Sequence, residues 1–376
     1  MKKLSILIIA LAVAFVYGCG ATTSSVTTTA APSSTTAGQP LKVLFLYAQA
    51  AEDGGWDSSW ELARKKLETT FGSKVSISYK ENVPSTAQAT QVIDSAIQDG
   101  VGLVVGTSYG YGQYMIDAAR KHPDTYFVQT QWESPGLENF SGFDYAGEDG
   151  YYLAGMAAGA AAKNGRAGMI DAFAIPSELR NMNGFTLGVR ETNPDATVRA
   201  VITSSWYDPS KDVQAAKSLI SSGVGALGSA LNDPAIPRAA EQAGTPFVGG
   251  GINQGKYAPT VFLTGPEYDW TPFLQPAIQS ILDNQWTSKF SYLGYKDGVV
   301  TLAKPGDAYR SLPASVRQQI DEARSKMKAG ELSVFTGPIE DGAGNIVIPA
   351  GKTATVEQLQ TMKFTVKGLL GVKAGG

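Results

Sequence analysis

From Leu41 onward, short apolar runs rich in β-branched and aromatic residues alternate with stretches of about ten to fifteen residues whose apolar positions recur at helical spacing. Leu41–Tyr47, Val75–Tyr79, Leu103–Val105, Tyr126–Gln129 and Phe140–Tyr145 read as strands. Trp56–Phe71, Thr86–Gln98 and Gln113–His122 read as the helices between them. Gly150–Lys163 follows, a helix so rich in Ala and Gly that it must pack closely on a neighbour. The alternation then restarts, with strands at Ala167–Ile170, Thr197–Ile202, Gly225–Leu227 and Pro246–Val248 and helices at Ser177–Thr192, Ser210–Ser221 and Pro234–Ala243. Such βαβ units predict an α/β protein with two doubly wound, mostly parallel sheets, one per lobe, and a ligand cleft between the lobes. Strand, helix and strand between Val261 and Leu302, the helix-like Ala314–Lys328 and the turn-rich Thr336–Gly351 complete the chain. The segment after Leu263 is expected to cross back, so that 41–147 plus about 265–376 form lobe 1 and 148–264 form lobe 2.

Ahead of the alternation the pattern is different. Lys2-Lys3, an apolar run from Leu4 to Val16 and then Tyr17-Gly18-Cys19 have the form of a secretory signal over 1–18. The run is short for a bilayer span. Val16-Tyr17-Gly18-Cys19 is similar to a bacterial lipobox, which makes Cys19 the expected lipid anchor. Residues 19–40 are almost entirely Ala, Thr, Ser, Gly and Pro and bury too little apolar area to fold, so they read as a tether. This arrangement places the folded body outside the cytoplasm, at a membrane surface.

Charge and cysteine count narrow the chemistry. The net charge is -3, or -5 once Lys2 and Lys3 are removed, and no basic cluster offers a phosphate backbone its counter-charge, so nucleic acid is not an expected partner. Cys19 is the only cysteine, which leaves the body without an internal disulfide, and no His or Cys cluster has metal-ligand spacing. Gly106-Thr107-Ser108-Tyr109-Gly110 matches a nucleophile elbow, but the one histidine, His122, lies at the far end of the helix that Ser108 would start, roughly 20 Å away at about 1.5 Å per residue. Gly250 to Lys256 approaches a phosphate-binding loop, yet Tyr257 stands where a magnesium-binding Ser or Thr is required and Pro259 blocks the following helix. No residue set for catalysis and no cofactor or metal site emerges.

The segments that follow the predicted strands carry the functional signal. Asp53-Gly54-Gly55-Trp56 leaves the first strand, where two glycines allow close backbone approach and a tryptophan offers a flat apolar face. The other strand ends carry Ser108 and Tyr109, Trp132, Asp144 and Tyr145, Phe173, Trp206 and Asp208, Asn232 and Asp233, then Asn253. Aromatics, carboxylates and carboxamides dominate, and Arg180 and Lys256 are the nearby cations. A phosphate or carboxylate ligand needs an Arg fork or several cations, so this set favours a neutral ring stacked on aromatics with its edge against acceptors. Trp60, one turn beyond Trp56, reads as a packing residue.

Several segments together resemble the basic membrane protein family of bacterial ABC-transporter substrate-binding lipoproteins. They are D-G-G-W at 53–56, E-N-V-P at 81–84, G-T-S-Y-G-Y at 106–111, Y-L-A-G at 152–155, I-P-x-x-x-R-x-x-N-x-F-T-L-G at 175–188, S-S-W-Y-D-P at 204–209, K-D-G-V-V-T-L-A at 296–303 and F-T-G-P-I-x-D-x-x-G at 335–344. The resemblance implies a type I periplasmic-binding fold, with two lobes joined by three crossovers that close on a purine nucleobase or nucleoside for a membrane permease. By position it implies Trp56 and Phe185 as stacking residues, Asp53 and Asp233 as polar-edge residues and Trp206 as a wall of lobe 2; Ser108, Tyr109, Trp132 and Asn253 join them from the strand ends. Ala230-Leu231-Asn232-Asp233-Pro234 and Gly249-Gly250-Gly251 depart from the family pattern in lobe 2's share of the cleft. A surface receptor that senses another small aromatic heterocycle without transport is the alternative expectation.

Overall fold

The computed structural model describes residues 39–373. The expected signal segment 1–18, the anchor Cys19 and the tether up to residue 38 lie outside the described residues.

The first sheet is made of β1 (Leu41–Leu46), β2 (Val75–Lys80), β3 (Leu103–Gly106), β4 (Tyr126–Thr130) and β5 (Phe140–Tyr145), interleaved with α1 (Trp56–Phe71), α2 (Ala87–Gln98) and α3 (Gly112–Lys121). β1, β3 and β4 bury both faces and read as largely apolar runs, whereas β2 at the sheet edge alternates buried and exposed positions. Along β1, Leu41, Val43 and Phe45 face a core shared with α1, while Leu44 and Leu46 face α2 and α3. The chain then enters α4 (Gly147–Ala161) and the second sheet, through β6 (Arg166–Asp171), α5 (Pro176–Thr192), β7 (Thr197–Ile202), α6 (Pro209–Ser221), β8 (Ala226–Ser229), α7 (Ala235–Ala243) and β9 (Phe247–Val248).

The small residues of α4 find their neighbour in α5. A Cβ on Gly155 or Gly159 would overlap the carbonyls of Phe185 or Val189, and one on Gly188 would overlap that of Tyr152. Glycines four apart on both helices let the backbones touch, and this contact fixes how α5 presents its first turns.

After β9 the chain crosses back to β10 (Pro266–Tyr268), α8 (Thr271–Leu282), β11 (Phe290–Leu293) and β12 (Val300–Leu302). β11 closes the edge of the first sheet, whose order is β11-β5-β4-β3-β1-β2, with all its pairs parallel. α9 (Asp307–Arg310), α10 (Ala314–Ala329), the hairpin β13 (Ile339–Glu340) and β14 (Ile346–Ile348), α11 (Val356–Gln360) and β15 (Leu369–Leu370) follow.

Here the structure departs from the expectation that everything beyond residue 265 completes lobe 1. β15 pairs in parallel with β7, giving the second sheet the order β15-β7-β6-β8-β9. The apolar stripe of α10, Ile320, Ala323 and Met327, shares a core with Leu153 of α4 and Met182 of α5. The tail therefore returns to the second lobe, and the chain passes between the sheets three times. The apolar stripe of α10 could be read from the sequence, but both lobes present similar apolar surfaces, so the stripe did not say which one it covers.

Candidate functional site

The carboxyl ends of the strands in both sheets converge on one cavity of about 70 Å³. On a scale where one water needs about 10–15 Å³, this is room for a single small ring system. A crevice outside the carboxyl ends of parallel strands is where open α/β sheets bind ligands.

The first lobe's wall begins with the loop after β1. Asp53 is buried, and its carboxylate accepts N–H bonds from Gly55 at 2.9 Å, Asp57 at 3.1 Å and Ser58 at 3.0 Å. It satisfies the orphan donors at the start of α1 and is not among the residues lining the cavity, where a ligand-edge residue was expected. The carboxyl on the cavity wall is Asp57, one turn on, which takes the N–H of Gln49 at 2.8 Å. Burial, with the neighbouring Asp53 charge, pushes Asp57 up to about 8.

Trp56 lines the cavity. Its Nε1 donates to the Thr107 carbonyl at 2.7 Å, and its ring lies edge-on to Trp270 at 5.2 Å and to Tyr268 at 5.8 Å. Trp60 is wholly buried and stacks on Trp270 at 4.4 Å, a packing role as expected. Ser108 and Tyr109 also line the cavity. Trp132 does not; its Nε1 donates to the Tyr109 carbonyl at 2.7 Å and its ring lies 5.7 Å from that of Tyr109, so it supports that residue. His122 is at the far end of α3, with Nε2 2.8 Å from Asp94.

The second lobe's wall differs more from the expectation. Phe185 is fully buried on α5, packed under Gly228 of β8 and away from the cavity. The same stripe of α5 reaches the cavity two turns earlier, through Glu178 and Asn181. Asp233 accepts from the Ala235 N–H at 2.8 Å and caps the entry to α7, while its neighbour Asn232 lines the cavity. Asn253 lies at the crossing, its Oδ1 taking the Gly255 N–H at 2.9 Å. Trp206 does line the cavity, half-exposed and edge-on to Phe173 at 5.0 Å. Strand-end reasoning missed Glu178, Asn181 and Tyr151, which sit on helices, and also Gln49, Gln131 and Tyr268. A polar pair three apart on the otherwise apolar α5 was the available signal for Glu178 and Asn181.

Glu178 accepts from Ser177 Oγ and Asn181 Nδ2, each at 3.1 Å. Behind it Asp171, wholly buried at the end of β6, faces the same carboxyl. Burial raises both, and Asp171, raised further by the Glu178 charge, keeps the proton of the pair. The hydroxyls of Tyr145, Tyr268 and Tyr151 are hydrogen-bonded in a chain beside them. Arg180, the nearest guanidinium, is turned away and committed: it binds Asp144 at 2.9 Å and the Leu359 carbonyl at 3.1 Å, and its Nε lies 3.4 Å from Glu148. Among the described residues, no Lys, Arg or His lines the cavity.

The two lobes also touch directly. The Trp56 N–H donates to Asn232 Oδ1 at 2.9 Å, and Gln254 Nε2 donates to the Gly54 carbonyl at 3.0 Å. A Cβ on Gly55 would stand 2.6 Å from Asn232 Oδ1 and 2.7 Å from its Cα. Glycine is required there because one lobe's backbone rests on the other.

Known proteins share this arrangement. A solute-binding protein of an ABC transporter system from Aeropyrum pernix superposes with a TM-score of 0.70 at 14% identity, over 87% of this chain and 100% of that one. One from Conexibacter woesei gives 0.65 at 21%, over 78% and 98%. In sequence, a purine-binding protein of Brucella abortus is 32% identical over 88% of this chain and 93% of its own length. A putative ABC transporter glucose-binding protein of Haloferax volcanii is 28% identical over 86% and 81%. The family model described as ABC transporter substrate-binding protein, PnrA-like, matches residues 41–335. With its two parallel sheets, its interlobe cavity and these matches, the chain belongs to the Bmp family of PnrA-like ABC-transporter substrate-binding proteins.

Proposed function

We propose that this substrate-binding protein captures a purine-type nucleobase or nucleoside between its lobes and hands it to an ABC permease, working outside the cytoplasm on a lipid anchor at Cys19. The observation that carries the ligand class is the cavity wall, where Trp56, Tyr109, Tyr268 and Trp206 offer rings, carboxyl and carboxamide groups offer edge contacts, and no cation is present. A planar heterocycle gains stacking area from such rings and satisfies its edge with acceptors, whereas a phosphorylated ligand would lack a partner for its charge. The identity with a purine-binding protein of Brucella abortus supports the same class. Lobe closure removes water from those contacts, and nothing in the reading calls for covalent chemistry.

Calorimetric titration with adenine, adenosine, guanine, guanosine and glucose tests the reading. Micromolar or tighter binding of at least one purine, with glucose unbound, is expected. Glucose binding with every purine inert at millimolar concentration would overturn it.

A further inference from the structure

Resting on the purine reading, we infer that the site selects a ring bearing N–H donors at two separate positions, one received by Asp57 of the first lobe and the other by Glu178 of the second. Both side chains line the cavity, one from the first turn of α1 and one from the first turn of α5, so they reach it from opposite lobes. The remaining polar groups on the wall are amides and hydroxyls, which adapt to donors or acceptors. The two carboxyls do not adapt when ionised, because they then only accept.

Both are already engaged on their protein side. Asp57 takes the Gln49 N–H and the Thr107 hydroxyl, and Glu178 takes Ser177, Asn181 and the Asp171 carboxyl, which leaves each carboxylate lone pairs to spare with no cation opposite among the described residues. The Arg180 guanidinium acts on Glu178 through its charge, and it is spent on Asp144 and Glu148. A ligand carbonyl set against either carboxylate would place lone pair on lone pair. An amino group, or an amino group beside a ring N–H, closes the contact with charge-assisted bonds. Asp57 and Glu178 therefore read the substituents of the ring, while Trp56 reads only that it is flat.

The groups around each carboxyl set the pH behaviour. Asp57 faces Asp53 on its own loop, Tyr47 at the end of β1 and Tyr111 ahead of α3. Glu178 faces Asp171 of β6, Arg180 of α5, Tyr145 of β5, Tyr151 of α4 and Tyr268 of β10. Burial holds Asp57 near 8, while Asp171 carries the proton shared with Glu178, so a donor-edged ligand displaces the Asp57 proton as it binds. Its affinity then climbs as pH rises from about 6 to about 8.5.

The test is a titration series of free bases with wild type, Asp57→Asn and Glu178→Gln. At about pH 8.5, where Asp57 is ionised, the wild type is expected to bind 2,6-diaminopurine, with amino groups at both C2 and C6, at least tenfold more tightly than xanthine, with carbonyls at both, and adenine and guanine in between. Each variant is expected to shrink that ratio at least threefold. Purines bound without this order, or with the order unchanged in both variants, overturn the inference and leave the purine reading standing; no purine bound by the wild type overturns both. Should a variant fail to fold, the wild type's adenine affinity between about pH 6 and 8.5 decides alone: a rise of at least threefold supports the inference and a flat profile overturns it.

Discussion

Asp53 and Asp57 show how little separates a structural carboxylate from one that faces a ligand. They are four residues apart, one in the loop before α1 and one in its first turn, and the outcome depends on which of them takes the free N–H groups at the start of α1. Asp53 precedes the helix and takes three of them. Asp57 is already inside the first turn and turns to the cavity. Its raised value has a consequence for stability. An acid whose folded value exceeds its unfolded value of 3.8 adds stability below that pH and loses it as pH climbs to about 8. Asp57→Asn is therefore expected to raise the melting temperature by several degrees at about pH 8 and by little at about pH 4, as thermal unfolding monitored by circular dichroism can check. Trp56 combines two roles, since the ring that lines the cavity also packs on Trp270 and Tyr268. Trp56→Ala should lower purine affinity at least tenfold and also cost about 2–4 kcal/mol of stability. Trp56→Phe, which keeps a ring but loses the bond to Thr107, should cost about 1 kcal/mol. Calorimetric titration and denaturant melts separate the two effects.

The elements themselves were largely legible, because β3 and β4 are buried on both faces and open on apolar runs, Leu103–Val105 and Tyr126–Val128, between polar turns. What α5 contributes was harder to see. Glu178, Asn181 and Phe185 share one stripe of that helix, yet its first turns reach the cleft and Phe185 lies two turns deeper, under β8. Depth along a helix depends on how it is laid on its sheet, and that is fixed by the close contact of α5 with α4, which no local pattern reveals. Census of strand ends found Trp56, Ser108, Tyr109 and Trp206 because those positions are set by chain direction alone. The loop between β1 and α1 yields a sharper test. Gly55→Ala introduces a methyl where Asn232 already stands, so the lobes should be held apart. Purine affinity should fall at least tenfold and the ligand-bound radius of gyration in small-angle scattering should increase, with the melting temperature of the free protein changed by only a few degrees.

Across the molecule, three passages of chain tie two sheets together, and the last of them sends α10 and β15 back to the second sheet. Each lobe is therefore built from separated stretches of sequence. The cavity between them is walled by both, so recognition and closure happen together. The contacts that join the lobes outside the cavity are a different matter. Gln254 reaches the Gly54 carbonyl and does not line the cavity. Gln254→Ala is expected to raise the dissociation rate of every ligand by a similar factor of about three to ten, leaving the ratios between ligands untouched. Stopped-flow tryptophan fluorescence with two purines of different affinity measures this directly.

That contact is made to a main-chain oxygen by a side chain that stands outside the cavity, so it does not depend on what lies inside. How long a cargo stays aboard and which cargo is taken are thus written in different residues. Selection acting on dwell time can adjust Gln254 without revising the menu set by Asp57 and Glu178.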